Sequence, residues 1–192
     1  MDELFLFYKN SLLKNLCSEY SNEWNALKYN KRKLFDLSLR QQSLPYMATS
    51  TFNGWGLSVD YICNNFMDFI NGKYIGVDCD GVHGYTYERY CKYDNTFTIH
   101  SDVVDIMKCN CSINIEKTKC PTLYINNSSC VSIDCEGFSS IRIYLFDNSV
   151  VKLNNIDEDS CVLIYKYSKD CKVEKTFNCF GSIREFNKEI RL

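Results

Sequence analysis

Proline and histidine are scarce in this chain, with two of each in 192 residues. The lack of proline, beside abundant Tyr, Phe, Asn, Lys and Ile, fits an AT-rich coding genome as well as any structural demand. The histidines are His83 and His100. Neither has a partner at metal-ligand spacing, and neither lies near a Ser or Cys motif that implies a nucleophile. Both are therefore read as ordinary surface or half-buried residues rather than as triad partners for Cys91. Their scarcity also argues against a left-handed β-helix acyltransferase, which uses a histidine base and six-residue repeats. A large net charge is missing too. A formal charge of −2 gives no general attraction to nucleic acid or anionic membrane. No stretch approaches the roughly 18–20 apolar residues needed to cross a bilayer. Met1-Asp2-Glu3, followed by the short apolar run Leu4–Tyr8, lacks the basic and long apolar regions of a secretion signal. The expectation is a protein made and kept in a cytosol.

What is present is a repeat. Val103, Ile113, Leu123, Ile133, Ile143, Leu153, Leu163, Val173 and Ile183 lie ten positions apart, in register to the end. A fixed period held this long marks units of one short strand plus a turn that stack to share a core. Alternating apolar pairs such as Val131/Ile133, Ile141/Ile143/Leu145, Val151/Leu153 and Cys161/Leu163/Tyr165 carry strand periodicity. Turn-prone stretches separate them: Asn126–Ser129, Asp147–Ser149, Asn154-Asn155 and Ser168–Asp170. The period fits a single-chain β-solenoid, an antiparallel meander or an intertwined trimer. The less regular Phe177–Leu192 is read as the cap of an exposed end.

The first part of the chain predicts helices. Phe5, Tyr8, Leu12, Leu16 and Tyr20 form one apolar stripe at helical spacing. Ser21 is the expected cap of a second helix, with Trp24, Leu27, Leu34 and Phe35 on its buried side, Lys28, Lys31, Arg32 and Lys33 on its solvated side, and Leu44-Pro45 as its stop. Ser58 is the expected cap of a third, carrying Ile62, Phe66, Phe69 and Ile70 on one face and ending at Asn71-Gly72. The fold class expected is α+β. A three-helix docking domain spans 1–74, a Gly/Tyr-rich connector 75–100, and a β-repeat domain 101–192.

Twelve cysteines in a reducing cytosol read as small core-filling residues. No Cys-x-x-Cys pair or compact four-ligand set appears, Cys109 and Cys111 share one strand face, and Cys120/Cys130 and Cys161/Cys171 occupy equivalent repeat positions. The string Ile75-Gly76-Val77-Asp78-Cys79-Asp80-Gly81 looks like the nucleophile loop of haloacid-dehalogenase-type phosphatases, with Asp78 attacking and Asp80 as acid/base. The surrounding β-repeat is wrong for that domain, and a turn built from Asp and Gly is the preferred reading. It fails as a calcium loop as well, because Arg89 stands where the bidentate Glu belongs. No catalytic, cofactor or metal-binding residue is assigned. The aromatic residues Tyr46, Phe52, Trp55, Tyr61 and Phe66 are candidates for an assembly interface, against the alternative of a helical core.

Several strings carry a resemblance: Leu44-Pro45-Tyr46-Met47-Ala48-Thr49, Gly54-Trp55-Gly56-Leu57-Ser58, Asn71-Gly72-Lys73-Tyr74, Tyr144-Leu145-Phe146-Asp147, Ile164–Ser168 and Phe186–Leu192. With these the chain resembles a family of small proteins from Bacteroides and their phages, including crAss-like phages. The resemblance implies a virion component of head-fibre or head–tail adaptor type and supplies no functional residues. The expectation is therefore a non-enzymatic, oligomeric structural protein of a phage particle, capsid- or tail-associated, assembled in the bacterial cytoplasm. Its expected partners are other virion proteins and copies of itself, not nucleic acid, membrane or a small molecule, and no cofactor is expected. The alternative is a phage or host protein that binds one partner, such as an anti-defence inhibitor. An Asp78/Asp80 phosphatase stands third.

Overall fold

The computed structural model describes residues 3–27, 30–38, 50–51, 53–66, 72–77 and 84–188. The chain divides into two compact units. One comprises Met1–Phe69, Ile75–Gly84 and Arg191–Leu192, the other Ile70–Tyr74 and Tyr85–Ile190. Tyr46, Phe52, Lys28, Asp78, Asp80 and His83 lie outside the described residues.

Four helices are described in the first unit: α1 (Glu3–Leu13), α2 (Ser18–Leu27), α3 (Lys31–Ser38) and α4 (Val59–Asn65). The predicted three-helix arrangement is corrected here. The first stripe was expected to continue to Tyr20, but α1 stops at Leu13. Asn15 takes a left-handed φ of 61°, and the amides of Leu16 and Asn15 bond back to Ser11 and Leu12 carbonyls, the Schellman ending. The phase of the stripe differs too, since Leu4, Phe7 and Ser11 are buried while Phe5 and Leu12 are exposed. The predicted second helix is two helices. Ser21 lies inside α2, and Asn30 caps α3 by accepting from the Lys33 amide at 3.0 Å. Leu34 and Phe35 are buried as expected. Ser58 caps α4, accepting from the Tyr61 amide at 3.0 Å. The same serine donates its amide and hydroxyl to the Glu3 carboxylate at 2.9 and 3.0 Å, tying the starts of α1 and α4 together. No helix among the described residues is long and apolar enough to cross a membrane.

The second unit carries the repeat, and it is a β-solenoid of parallel strands, about five coils long. The strands are β1 (Gly72–Val77), β2 (Gly84–Cys91), β3 (Thr96–Ile99), β4 (Val103–Met107), β5 (Asn110–Ile115), β6 (Thr122–Asn126), β7 (Cys130–Cys135), β8 (Ser140–Leu145), β9 (Val150–Ile156), β10 (Cys161–Lys166), β11 (Lys172–Cys179) and β12 (Ser182–Asn187). β1 and β2 lie side by side in a seven-stranded sheet, β1-β2-β4-β6-β8-β10-β12, and from β2 onward successive strands alternate between it and a five-stranded sheet, β11-β9-β7-β5-β3. Ten residues are thus half a coil. From β2 onward a strand pairs with the one two further on, not with the next. Parallel stacking begins at β2, inside the segment read as a connector.

Alternation sends every second side chain inward. In the larger sheet Val104, Leu123, Ile143 and Ile164 stack in one inward column. In the smaller sheet Ile113, Ile133 and Leu153 do the same. All seven are fully buried. Each such side chain contributes roughly 1.5–3 kcal/mol on leaving water.

The ten-residue register does not hold to the end. Ile113, Leu123, Ile133, Ile143 and Leu153 are fully buried, and Val173 and Ile183 pack against the core. Val103 and Leu163 fall on the outer face, and Val104, Val162 and Ile164 take the inner positions. The displacement of Leu163 follows a bulge. Ile133 pairs with Leu153 but Asp134 with Asn155, so Asn154 is an added residue. Asn154 and Asn155 therefore lie within β9 and are not the predicted turn, which falls at Asp157–Ser160 instead.

The corners are closed by buried serines that reach the neighbouring coil. Ser129 Oγ accepts from the Cys109 amide at 3.1 Å, Ser149 Oγ from the Ser129 amide at 3.2 Å, and Ser160 Oγ from the Ser139 amide at 3.4 Å. Backbone groups leaving one strand thus find partners despite burial. Cys109, Cys111, Cys135 and Cys171 are buried as core-filling thiols; Cys130 and Cys161 are half-buried and Cys120 is exposed.

Candidate functional site: an aromatic and cationic sheet face

On the outer face of the seven-stranded sheet, one column runs through Arg89, Asp105, Tyr124, Tyr144, Tyr165 and Phe186, each in register with the next. From Tyr124 onward the rings stack, with centroids 5.0, 5.2 and 5.2 Å apart and interplanar angles of 10°, 20° and 17°. The parallel ladder spaces equivalent side chains by about 4.8 Å, which is close to a stacking distance, so the backbone sets the ladder up. Phe146 and Tyr167 stack beside it at 5.0 Å. Burial pushes the Tyr167 hydroxyl up, helped by Tyr144 and Tyr165, and keeps it a proton donor.

On the other side of the ladder stand Arg142, Leu163 and Arg184, again in register. Both arginines are exposed. Lys188 reaches over the ladder, its ammonium 5.5 Å from the Tyr165 ring and 6.0 Å from that of Phe186. No carboxylate occupies an outer position on β8, β10 or β12 in this block.

The opposite end of the column is a buried polar network. Arg89 Nε donates to Tyr87 Oη at 2.8 Å and lies 3.3 Å from Asp105 Oδ2. Asn126 Nδ2 donates to Asp105 Oδ1 at 3.1 Å. Burial opposes the charge on Arg89, but Tyr87 and Asp105 outweigh it and hold the guanidinium above its ordinary value. Burial pushes Asp105 up, against the pull of Arg89 and the hydrogen bonds it accepts from Asn126 and Tyr87. A buried pair of this kind fixes orientation more than it adds stability.

The outer face of the five-stranded sheet differs. Thr96, Ser112, Ser132, Lys152 and Glu174 form its register column, small and polar until the Lys152–Glu174 pair at 3.7 Å.

Of the predicted interface residues, Phe66 is buried in the helical unit, where Tyr61 tilts against it at 6.4 Å. Trp55 packs 6.0 Å from the buried Phe7 ring, and Trp55 and Tyr61 are half-buried. His100 is exposed, 3.8 Å from Glu116. Among the described residues, no group of three or more His, Cys, Asp and Glu side chains is placed to hold a metal ion. Sequence reasoning missed the ladder. The signal was there in the spacings from Tyr124 to Tyr144, Tyr165 and Phe186, which match whole coils rather than half coils.

The fold and this face define a protein of one class: a two-sheet parallel β-solenoid with an ordered aromatic and cationic outer surface, in a chain that also carries a helical unit. Comparison with family models, with curated proteins and with solved structures returned no match.

Proposed function

We propose that the chain is a non-enzymatic assembly protein, an oligomeric structural component of a bacteriophage particle. The observation that carries the reading is the accessible part of the outer column, Tyr144, Tyr165 and Phe186, held on a hydrogen-bonded parallel ladder and flanked by the exposed Arg142 and Arg184. A surface of this kind is rigid and periodic, and its side chains lose little entropy when a protein partner covers it. Tyr, Phe and Arg are the residues that anchor such contacts. The helical unit supplies a second body for docking. The placement in a virion rests on the family resemblance of the sequence, and partners in that setting are other virion proteins and copies of this chain.

Native mass by light scattering over a concentration series, with mass spectrometry of purified particles, tests the reading. A discrete oligomer and peptides of this chain in virions are expected. A monomer at high concentration that is absent from virions overturns it. Stoichiometric capture of a single host protein would instead favour the partner-binding alternative.

A further inference from the structure

Three successive coils present a ridge as well as a face. The corners that lead into β8, β10 and β12 follow one another along one edge of the solenoid and carry Phe138, Asp159 and Phe180, the last corner being shorter, with two residues between Cys179 and Ser182 against four between Cys135 and Ser140. Phe138 is 60 % exposed and Phe180 71 %. Glu158 and Asp159 between them are exposed carboxylates. Phe138 also holds a left-handed φ of 60°, a conformation that bulky side chains avoid. Lys108, Thr118, Asn127 and Asp147 take the same conformation at other corners, so it belongs to the way the solenoid turns. The ridge is aromatic with two carboxylates at its centre, and at one end the Lys117 ammonium lies 5.3 Å from the Phe138 ring; the adjoining face is cationic and aromatic. Among the described residues, Arg142, Arg184, Glu158 and Asp159 make no ion pair within their own chain.

The stacked rings of the face have used their π surfaces on one another, so a planar base or sugar has little ring face to lie on. What remains outward is ring edges, which are electropositive, with Tyr hydroxyls and guanidinium groups. That chemistry suits carboxylates, and the same three coils carry both halves of the match. A surface on which donor face and acceptor ridge lie side by side is complementary to itself under a two-fold rotation.

We propose that two copies of this chain dock about a two-fold axis, with the Phe138–Asp159–Phe180 ridge of each seated on the Arg142–Tyr165–Arg184 face of the other. The inference rests on the assembly reading above and gives it a contact. Glu158 and Asp159 meet Arg142 and Arg184, and Phe138 and Phe180 lie against the edges of the Tyr ladder.

Sedimentation velocity on the full chain tests this with R142E/R184E and E158R/D159R. Each variant alone is expected to raise the dimer dissociation constant at least about 100-fold, since like charges then face each other. An equimolar mixture of the two is expected to restore a dimer. Unchanged thermal midpoints show that both variants fold; Phe180→Ser, also at an exposed site, serves as a second variant and should weaken the dimer as well. A wild-type oligomer indifferent to all three changes, or a mixture that stays monomeric, overturns the docking geometry and leaves the assembly reading standing. A wild-type chain that is monomeric at every concentration overturns both.

Discussion

In the last coil Glu185 lies 2.8 Å from the ammonium of Lys175, and both side chains occupy inward positions. Glu185 stands beside Ile164, in the column that Val104, Leu123 and Ile143 fill further back. Lys175 stands beside Leu153. Lys166 adds a second ammonium 3.1 Å from the same carboxylate. The apolar core is therefore closed by charge and not by a change of fold. The sequence reading placed the cap in Phe177–Leu192, and Glu185 lies in that segment, on β12, which continues the ladder through Asn187. Inward-pointing charge is one way a sheet edge avoids recruiting further strands.

This closure is pH-dependent. Partial burial pushes the Glu185 carboxyl up, but hydrogen bonds from Lys175 and Lys166 outweigh it and hold the pKa below the ordinary 4.5. A carboxylate with a depressed native pKa stabilises the fold above its unfolded value and loses that contribution as pH falls through the native one. Thermal midpoints measured from neutrality to below pH 4.5 should therefore drop less steeply for Glu185→Gln than for wild type. Identical slopes for the two proteins would remove Glu185 from the acid response.

The bulge at Asn154 makes a sharp claim about which of two neighbours is core. Ile164 is fully buried while Leu163 is on the outer face. Ile164→Ala should cost about 2–5 kcal/mol in urea denaturation, the range for opening a cavity in a close-packed core. Leu163→Ala should cost less than about 1.5 kcal/mol, because part of that side chain already meets water. The strict ten-residue period demands the opposite order.

Much of this architecture was legible because solenoid cores repeat. Ile113 through Leu153 kept the half-coil period, and each is buried. The period could not reveal hydrogen-bond partners about twenty residues apart, so solenoid, meander and intertwined trimer remained equal readings. Nor could it reveal the bulge. Asn154-Asn155 has turn chemistry, and only the pairing of Asp134 with Asn155 shows that the strand runs through it. In the helical unit, Asn15 and Asn30 act as stop and cap, but asparagine at such a place has several local options, and the apolar spacing ran on past both. The outer face was hidden for another reason. Its residues carry no burial signal, and the ladder emerges only when the chain is folded at whole-coil spacing.

Two glycines separate two kinds of constraint. A Cβ on Gly181 would stand 2.6 Å from the carbonyl oxygens of both Asp157 and Ser160, backbone atoms that cannot step aside. Gly54 has open space around it but a φ of +70°. Gly181→Ala should destabilise by crowding, by about 1–3 kcal/mol. Gly54→Ala should cost about 1–2 kcal/mol through backbone conformation alone. Gly54→Asn, which tolerates that φ, should recover most of the second loss, whereas Gly181→Asn should be no better than alanine. Denaturation midpoints of the four variants decide it, and recovery at position 181 would refute the steric account.

The charged end also makes a prediction about assembly. Replacing Lys175 and Glu185 together by valine leaves β11 and β12, the last described strand of each sheet, with no inward charge of their own, Lys166 lying one strand further back on β10. Parallel strands of a second copy could then extend both sheets, a heterologous contact that does not close on itself. K175V/E185V should form concentration-dependent fibres that bind thioflavin, while wild type does not. Breaking the pair singly differs in outcome. Lys175→Val leaves Glu185 on the terminal strand β12 facing Lys166 and should stay soluble, because an inward charge on the terminal strand itself is still enough to reject a neighbouring strand. If the double variant remained soluble and particle-free at high concentration, the end of the solenoid would owe its closure to the bulged geometry of β11, where the register shifts between Lys175 and Asn178, and not to the ion pair.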